Sequence, residues 1–199
     1  MQKTKIALFP LQLFLLPGEK TRLHIFEPRY KQLLIDCEQN HTTFGIPLAM
    51  NGALTGYGSV VKIINELDVH ADGSSDIEIL CEEIFKIDKF HERMGEKLYP
   101  GGEVSILSRE ESQPVSENFM NELGKYLENT RHELIPELLT TNLDAFAAAR
   151  IIELNELEKL KLVKSKSAVG KELILLNKLK LLNRIQEQVK SIEGDIFLN

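Results

Sequence analysis

Residues 8 to 36 constrain this chain more than any other stretch. Leu8-Phe9-Pro10-Leu11-Gln12-Leu13-Phe14-Leu15-Leu16 is an apolar run cut by one proline, and Pro17-Gly18 closes it. Proline fixes φ and glycine accepts positive φ, so that pair presets a turn. Lys20 to Ile25 then alternates Arg22 and His24 outward with Leu23 and Ile25 inward, the period of a half-buried strand. At Glu27-Pro28 the period becomes helical. Pro28 suits a first helical turn, where its missing N–H costs nothing. Tyr30, Leu33, Leu34 and Cys37 succeed it at i, i+3, i+4 and i+7, so one helix face is apolar and is expected to pack on the strands before it.

The same reasoning extends down the chain. Phe44 to Met50, Tyr57 to Leu67, Asp76 to Glu83, Lys86 to Phe90 and Glu103 to Leu107 read as short strands separated by turn signals such as Asn51-Gly52 and Asp72-Gly73. That pattern predicts a small closed or partly closed barrel. From Glu110 to Ser116 the chain is polar and holds Pro114, and the period then turns helical. We place a boundary there, with a β-rich domain over 1–112 and a helical domain over 113–199. Ser116 is positioned to cap a helix with Phe119, Met120, Leu123, Tyr126 and Leu127 on one face. Thr141, three residues before Asp144, predicts a second helix lined by Leu143, Phe146, Ala147, Ile151 and Leu154. Asn155 with Glu158 opens a short helix to Lys164, and a last helix runs from about Ser167 to Ile192. Its apolar arc is wide, which predicts more than one packing neighbour. The fold class is α+β, a β pseudo-barrel with one packed helix and then a helical bundle.

Leu8-Phe9-Pro10-Leu11, Leu16-Pro17-Gly18 and His24-Ile25-Phe26-Glu27-Pro28-Arg29-Tyr30 together resemble the opening of the Lon protease substrate-binding (Lon N-terminal) domain. Phe44-Gly45-Ile46, Gly58-Ser59-Val60-Val61-Lys62-Ile63 and Asp72-Gly73 agree with it. The resemblance is strong over the first half, and the helical half is similar to the helices that come after that domain in the family. It implies that the barrel is PUA-like, that the protein holds polypeptides without cutting them, and that Pro10, Pro17, Gly18, Phe26, Glu27, Arg29, Tyr30, Gly45 and Gly58 are structural motif positions. Complete Lon proteases carry an AAA+ ATPase and a peptidase after this domain. The sequence reaches Asn199 without either, so a stand-alone, non-catalytic form is expected.

The residues themselves offer little chemistry. His24, His41, His70, His91 and His132 are scattered, and only Cys37 and His41 share a helical i, i+4 spacing, so no metal or cofactor is expected. Gly58-Ser59 lacks the second glycine of a nucleophile elbow and lies inside a strand. Gly170-Lys171 fails as a phosphate loop, because Glu172 comes after the lysine and Ser165 stands five residues before the glycine. Glu82 and Glu83 alternate across a strand, and Glu110 and Glu111 lie in the polar linker.

Three features remain for binding. Leu13, Phe14 and Leu15 are apolar on both faces of their segment, and cover from within the chain is the commoner fate of such surface. Glu27, Arg29 and Tyr30 read first as a cap and ion pair fixing the helix to the barrel. Residues 159 to 184 hold eight Lys/Arg against Glu172 alone, 8 − 1 = +7, with Lys164, Lys166 and Lys171 among them. A solvated helix face is the plain explanation of that surplus. It would also suit an acidic partner or RNA, although a whole-chain charge of −6 disfavours general nucleic-acid binding. The expected partners are unfolded or specific polypeptides, a protease or a chaperone, and a homo-oligomer is compatible with the pattern. Lys3, Lys5 and the run from Ile6 to Leu16 imitate a signal peptide, but Pro10 and Gln12 break the run and it lacks a small-residue cleavage site. No stretch reaches the roughly 20 apolar residues of a membrane helix. With Cys37 and Cys81 on inward faces, a cytoplasmic protein is expected.

Overall fold

Strand structure begins earlier than the apolar run suggests. In the computed structural model, which describes residues 2–107, 113–130 and 143–197, β1 is Gln2–Ala7, ahead of Pro10. After it come β2 (Lys20–Ile25), α1 (Pro28–Asn40), β3 (Phe44–Met50), β4 (Ala53–Val69), β5 (Ser75–His91) and β6 (Gly101–Ile106). The antiparallel order is β1-β6-β5-β4-β3, and β2 also pairs with β5. Residues 8–16 form no regular strand. Prolines at 10 and 17 deny the ladder two donors, and the segment is held instead by single bonds: Phe9 N–H to the Gly45 carbonyl at 2.8 Å and Leu11 N–H to that of Pro47 at 3.1 Å. These bonds and the parallel bridges Leu8–Gly45 and Leu11–Leu48 join the chain leaving β1 to β3, which rolls the sheet closed. Ile6, Leu8, Val60, Phe85 and Val104 fill the interior.

β5 corrects the expectation of two strands, Asp76 to Glu83 and Lys86 to Phe90. It is one strand of 17 residues. Val60 pairs with Glu83 and Val61 with Cys81, so Glu82 is the extra residue of a bulge. A bulge shifts the inward phase. Ile77, Ile79 and Cys81 are buried before it, Ile84 and Phe85 after it, and the slip reads in sequence as a break. β4 also extends beyond the predicted Tyr57–Leu67 at both ends.

α1 buries Tyr30, Leu33, Leu34 and Cys37, the face its spacing predicts. Its outer side is pinned at Asp36, which accepts from the Tyr99 hydroxyl at 2.6 Å and pairs with the Lys97 ammonium at 2.9 Å. Those donors, Tyr99 first, hold the Asp36 carboxyl below its ordinary value. A carboxylate depressed by folding stabilises above its unfolded pKa, and that contribution fades as pH falls through the folded one. Asp36→Asn is therefore expected to flatten the acid limb of a stability–pH curve below about pH 4, as read by urea midpoints at successive pH values.

The contacts divide the chain into Met1–Arg109, built from the strands and α1, and Glu110–Asn199. The boundary expected between 112 and 113 adjoins residues outside those described, and Glu110, Glu111, His132, Pro136 and Thr141 lie among them. The second unit contains α2 (Glu117–Thr130), α3 (Ala145–Ile151), α4 (Glu156–Lys164) and α5 (Ala168–Phe197), with α2, α3 and α4 packed on α5. Ser116 caps α2 as its sequence predicts, accepting from Phe119 N–H at 3.2 Å. α3 does not start where Thr141 would place it. Asp144 is its cap, accepting from Ala147 N–H at 2.7 Å, and the buried set is Leu143, Ala148, Ala149, Ile152 and Leu154 rather than one through Phe146 and Ile151. α4 carries the expected capping box, Asn155 and Glu158 each bonding the other's backbone N–H.

Candidate functional site

Leu13, Phe14 and Leu15 belong to the interior rather than to a docking surface. Phe14 and Leu15 are 0% and 4% exposed, and Leu13 is half-buried. Ser59, fully buried on β4, accepts from Leu15 N–H at 2.9 Å and donates to the Leu15 carbonyl at 2.7 Å. One side chain thus supplies what a neighbouring strand would otherwise supply. The turn closing the segment runs from Leu16 to Glu19, with Gly18 at φ 89°, Glu19 N–H on the Leu16 carbonyl at 2.9 Å, and the Glu19 carboxylate on Leu16 N–H at 2.8 Å. Proline then glycine at its centre is the type II combination.

The motif around Phe26 to Tyr30 is a junction. Glu27 occupies the N-cap position of α1 with Pro28 first in the helix, but its carboxylate makes no cap bond and pairs with the Arg29 guanidinium at 2.8 Å. Arg29 lies 4.6 Å over the Tyr30 ring, and Tyr30 stacks on Phe9 at 3.7 Å between centroids. The motif therefore ties α1 to the 8–16 segment, while Phe26 stays 62% exposed. Gly45 and Gly58 lie against Phe85, where a Cβ would collide with its ring.

In the helical unit the basic surplus is spread out rather than gathered. Lys178 is committed to Glu158 at 2.8 Å, and the Lys171 ammonium lies 5.5 Å from the Phe146 ring centroid. Lys164 and Lys166 flank the α4–α5 turn, and both are exposed. Glu172, the single acid in this segment, accepts from Ser116 and draws the start of α2 to α5. Asn183 is buried and donates to the Glu122 carbonyl and carboxylate, both at 3.1 Å.

The apolar arc of α5 divides in a way its sequence does not announce. Leu175, Leu176 and Leu179 are buried, whereas Leu181, Ile185, Val189 and Ile192 are 53%, 47%, 49% and 60% exposed. Those four stand at i, i+4, i+8 and i+11, one continuous stripe of about three turns. Isolated exposed aliphatics need no explanation, whereas these four are aligned on one side of the helix.

Two histidines that look scattered in sequence meet on one carboxylate. His24 Nδ1 and His70 Nε2 each lie 2.7 Å from an Asp76 oxygen. Asp76 raises the His70 imidazole above its ordinary value chiefly through that hydrogen bond, and bonds from His24 and then His70 lower the Asp76 carboxyl. Cross-strand distance is invisible to spacing rules, so no sequence signal could have found the trio. Elsewhere a depression of about 220 Å³ opens between His91, Arg93, Met94 and Glu103, below the roughly 300 Å³ at which small-molecule pockets begin. Among the described residues no helix is long and apolar enough to cross a membrane.

A family model described as the ATP-dependent protease La (LON) substrate-binding domain matches residues 5–193, so the match runs through the helical half as well as the strands. The crystal structure of a Lon N-terminal domain protein from Xanthomonas campestris is similar with a TM-score of 0.67 and 26% identity, over 86% of this chain and 97% of that one. The N-terminal domain of Lon protease from the Mycobacterium avium complex shares the fold with a TM-score of 0.62 and 13% identity, over 89% and 98% of the two chains. A search of curated proteins found no match.

Proposed function

This chain belongs to the Lon substrate-binding domain family, and from that membership we propose that it is a non-catalytic polypeptide-binding protein, an adaptor that holds client segments for a protease in the cytoplasm. The observation that carries the proposal is the stripe of Leu181, Ile185, Val189 and Ile192 on α5. An extended or helical client can bury apolar side chains against it, as amphipathic segments do in apolar grooves. Arg184 and Gln188 border the row at helical spacing and would set orientation through polar contacts. Lys164, Lys166 and Lys171, near the start of the same helix, would favour clients with acidic stretches. Cys37 and Cys81, buried and not disulfide-linked, accord with a reducing compartment.

The test is a fluorescence-anisotropy titration with labelled, reduced and carboxymethylated lactalbumin, which cannot refold. Ile185→Asp with Val189→Asp changes two exposed positions, so folding should stay within about 0.5 kcal/mol of the parent. Losing two buried aliphatic contacts, each about 1.5–3 kcal/mol when fully covered, should weaken client binding at least tenfold. Unchanged affinity in the double variant would remove α5 from the account. A parallel titration with single-stranded RNA separates the competing use of residues 159 to 184, since RNA affinity would fall steeply with salt.

A further inference from the structure

We propose that His24, His70 and Asp76 form a site for a divalent cation of the zinc type, one that prefers imidazole nitrogen. The site is independent of the polypeptide surface on α5. Three separate pieces of backbone supply it. His24 on β2 is the direct cross-strand partner of Asp76 on β5, and Asp68 on β4 is the partner of Asp76 on its other side. Directly opposed residues share a face, so His24, Asp76 and Asp68 form a row across three strands. His70 stands just beyond, at the start of the β4–β5 turn.

The turn is fixed by contacts that do not involve the trio's donor atoms. His70 N–H donates to the Ser74 carbonyl and Gly73 N–H to that of His70, both at 2.8 Å. Asp72 accepts from Ser74 N–H and hydroxyl at 2.9 and 2.7 Å, and Gly73 takes φ 74°. The Lys31 ammonium, 3.3 Å from the Asp72 carbonyl, ties the turn to α1. His70 is thus delivered to Asp76 by backbone geometry, and little ordering is left for a ligand to impose.

The donor atoms already converge. One nitrogen from each imidazole and a carboxylate oxygen lie within 4.8 Å of one another. The rings are 5.6 Å apart and tilted by 57°, so they do not stack face to face. Zinc holds nitrogen at about 2.0–2.1 Å and carboxylate oxygen at about 2.0–2.2 Å, which asks only for modest side-chain rotation from this starting point. Chemically, the cation takes the place of the imidazole protons that face Asp76. In a neutral imidazole that proton moves to the ring's other nitrogen, and from an imidazolium it passes to solvent, so that two neutral imidazoles and one carboxylate surround the metal. Asp68 and Asp72 add negative charge nearby; Asp72 has its carboxylate occupied by Ser74. A mixed set with two imidazoles suits zinc, cobalt, nickel or copper rather than magnesium or calcium. The His24, His70 and Asp76 side chains are 52%, 43% and 33% exposed, so the remaining coordination positions open to water.

Zinc titration of the tag-free chain, read by competition with a chromophoric chelator, tests the site. One zinc per chain is expected. His24→Ala and His70→Ala, both at exposed positions, should each weaken binding by at least the roughly 10–100-fold that even an outer-shell partner contributes. Circular dichroism checks that the variants fold. Imidazole NMR of the unsubstituted chain gives a reading that needs no variant: zinc should shift the His24 and His70 signals and leave His91 alone, and magnesium should shift none of them. Binding that survives the two substitutions together, zinc uptake no greater than theirs, or shifts confined to other histidines would overturn the assignment.

Discussion

Gly58→Ala should cost the strand unit about 3 kcal/mol, the upper end of what overpacking a core typically costs. Gly58 stands on β4 between Pro47 of β3 and Phe85 of β5. A Cβ built there falls 2.3 Å from Phe85 Cζ and 2.5 Å from the Ile46 carbonyl oxygen. The ring can turn, at the expense of its packing against Ile6, Leu8 and Val104, but the carbonyl is backbone on a paired strand and yields only if β3 moves. For a domain of about 100 residues each kcal/mol is worth roughly 4–8 °C, so thermal scans would show the change without difficulty. Adding Phe85→Leu tests the cause. If the ring is the main obstacle, the double variant is less unstable than the sum of the two single changes. Strict additivity would put the cost on the backbone contact alone.

Ser59→Ala is expected to remove about 2–3 kcal/mol, because it deletes one small group that satisfies both polar atoms of a buried residue. The Leu15 N–H loses the partner this hydroxyl provides, and its carbonyl keeps only the weak donor Cys81 Sγ at 3.3 Å. A buried group left unsatisfied costs roughly 1–3 kcal/mol. Ser105→Ala, which removes a partly buried bond to Asp88, is the comparison, and denaturant midpoints should fall less for it. Equal losses at 59 and 105 would mean that the 8–16 segment does not depend on this hydroxyl.

Much of this architecture is written locally. The bounds of β2, the buried face of α1 and the capping box of α4 come from periodicity and capping chemistry, because each rests on neighbours within four residues. The features that escape such a reading depend on long-range pairing. β1 is assigned by its ladder with β6, about a hundred residues away, and nothing in Gln2–Ala7 alone announces it. The bulge at Glu82 is visible only against its partner strand. The start of α3 is set by the Asp144 cap, whose side chain accepts from Ala147 N–H, three residues beyond the cap position read from the sequence. Sites fare worse than elements for the same reason. Phe14 and Leu15 look like surplus apolar surface until Ser59 is seen beneath them. His24 and His70 look unrelated until β2 and the β4–β5 turn bring both to Asp76. The stripe on α5 reads as packing surface, because an apolar arc in a sequence does not state which part of it a neighbour covers.

The central claim is that this protein holds polypeptides by burying their apolar side chains. Calorimetric titration of the intact chain with carboxymethylated lactalbumin, run at several temperatures and at low and high salt, tests it most directly. The account predicts saturable binding with a negative heat-capacity change, the robust mark of apolar burial, and an affinity that persists when salt shortens the Debye length to about 3 Å. No binding, or binding that disappears with salt and carries no heat-capacity change, would contradict it.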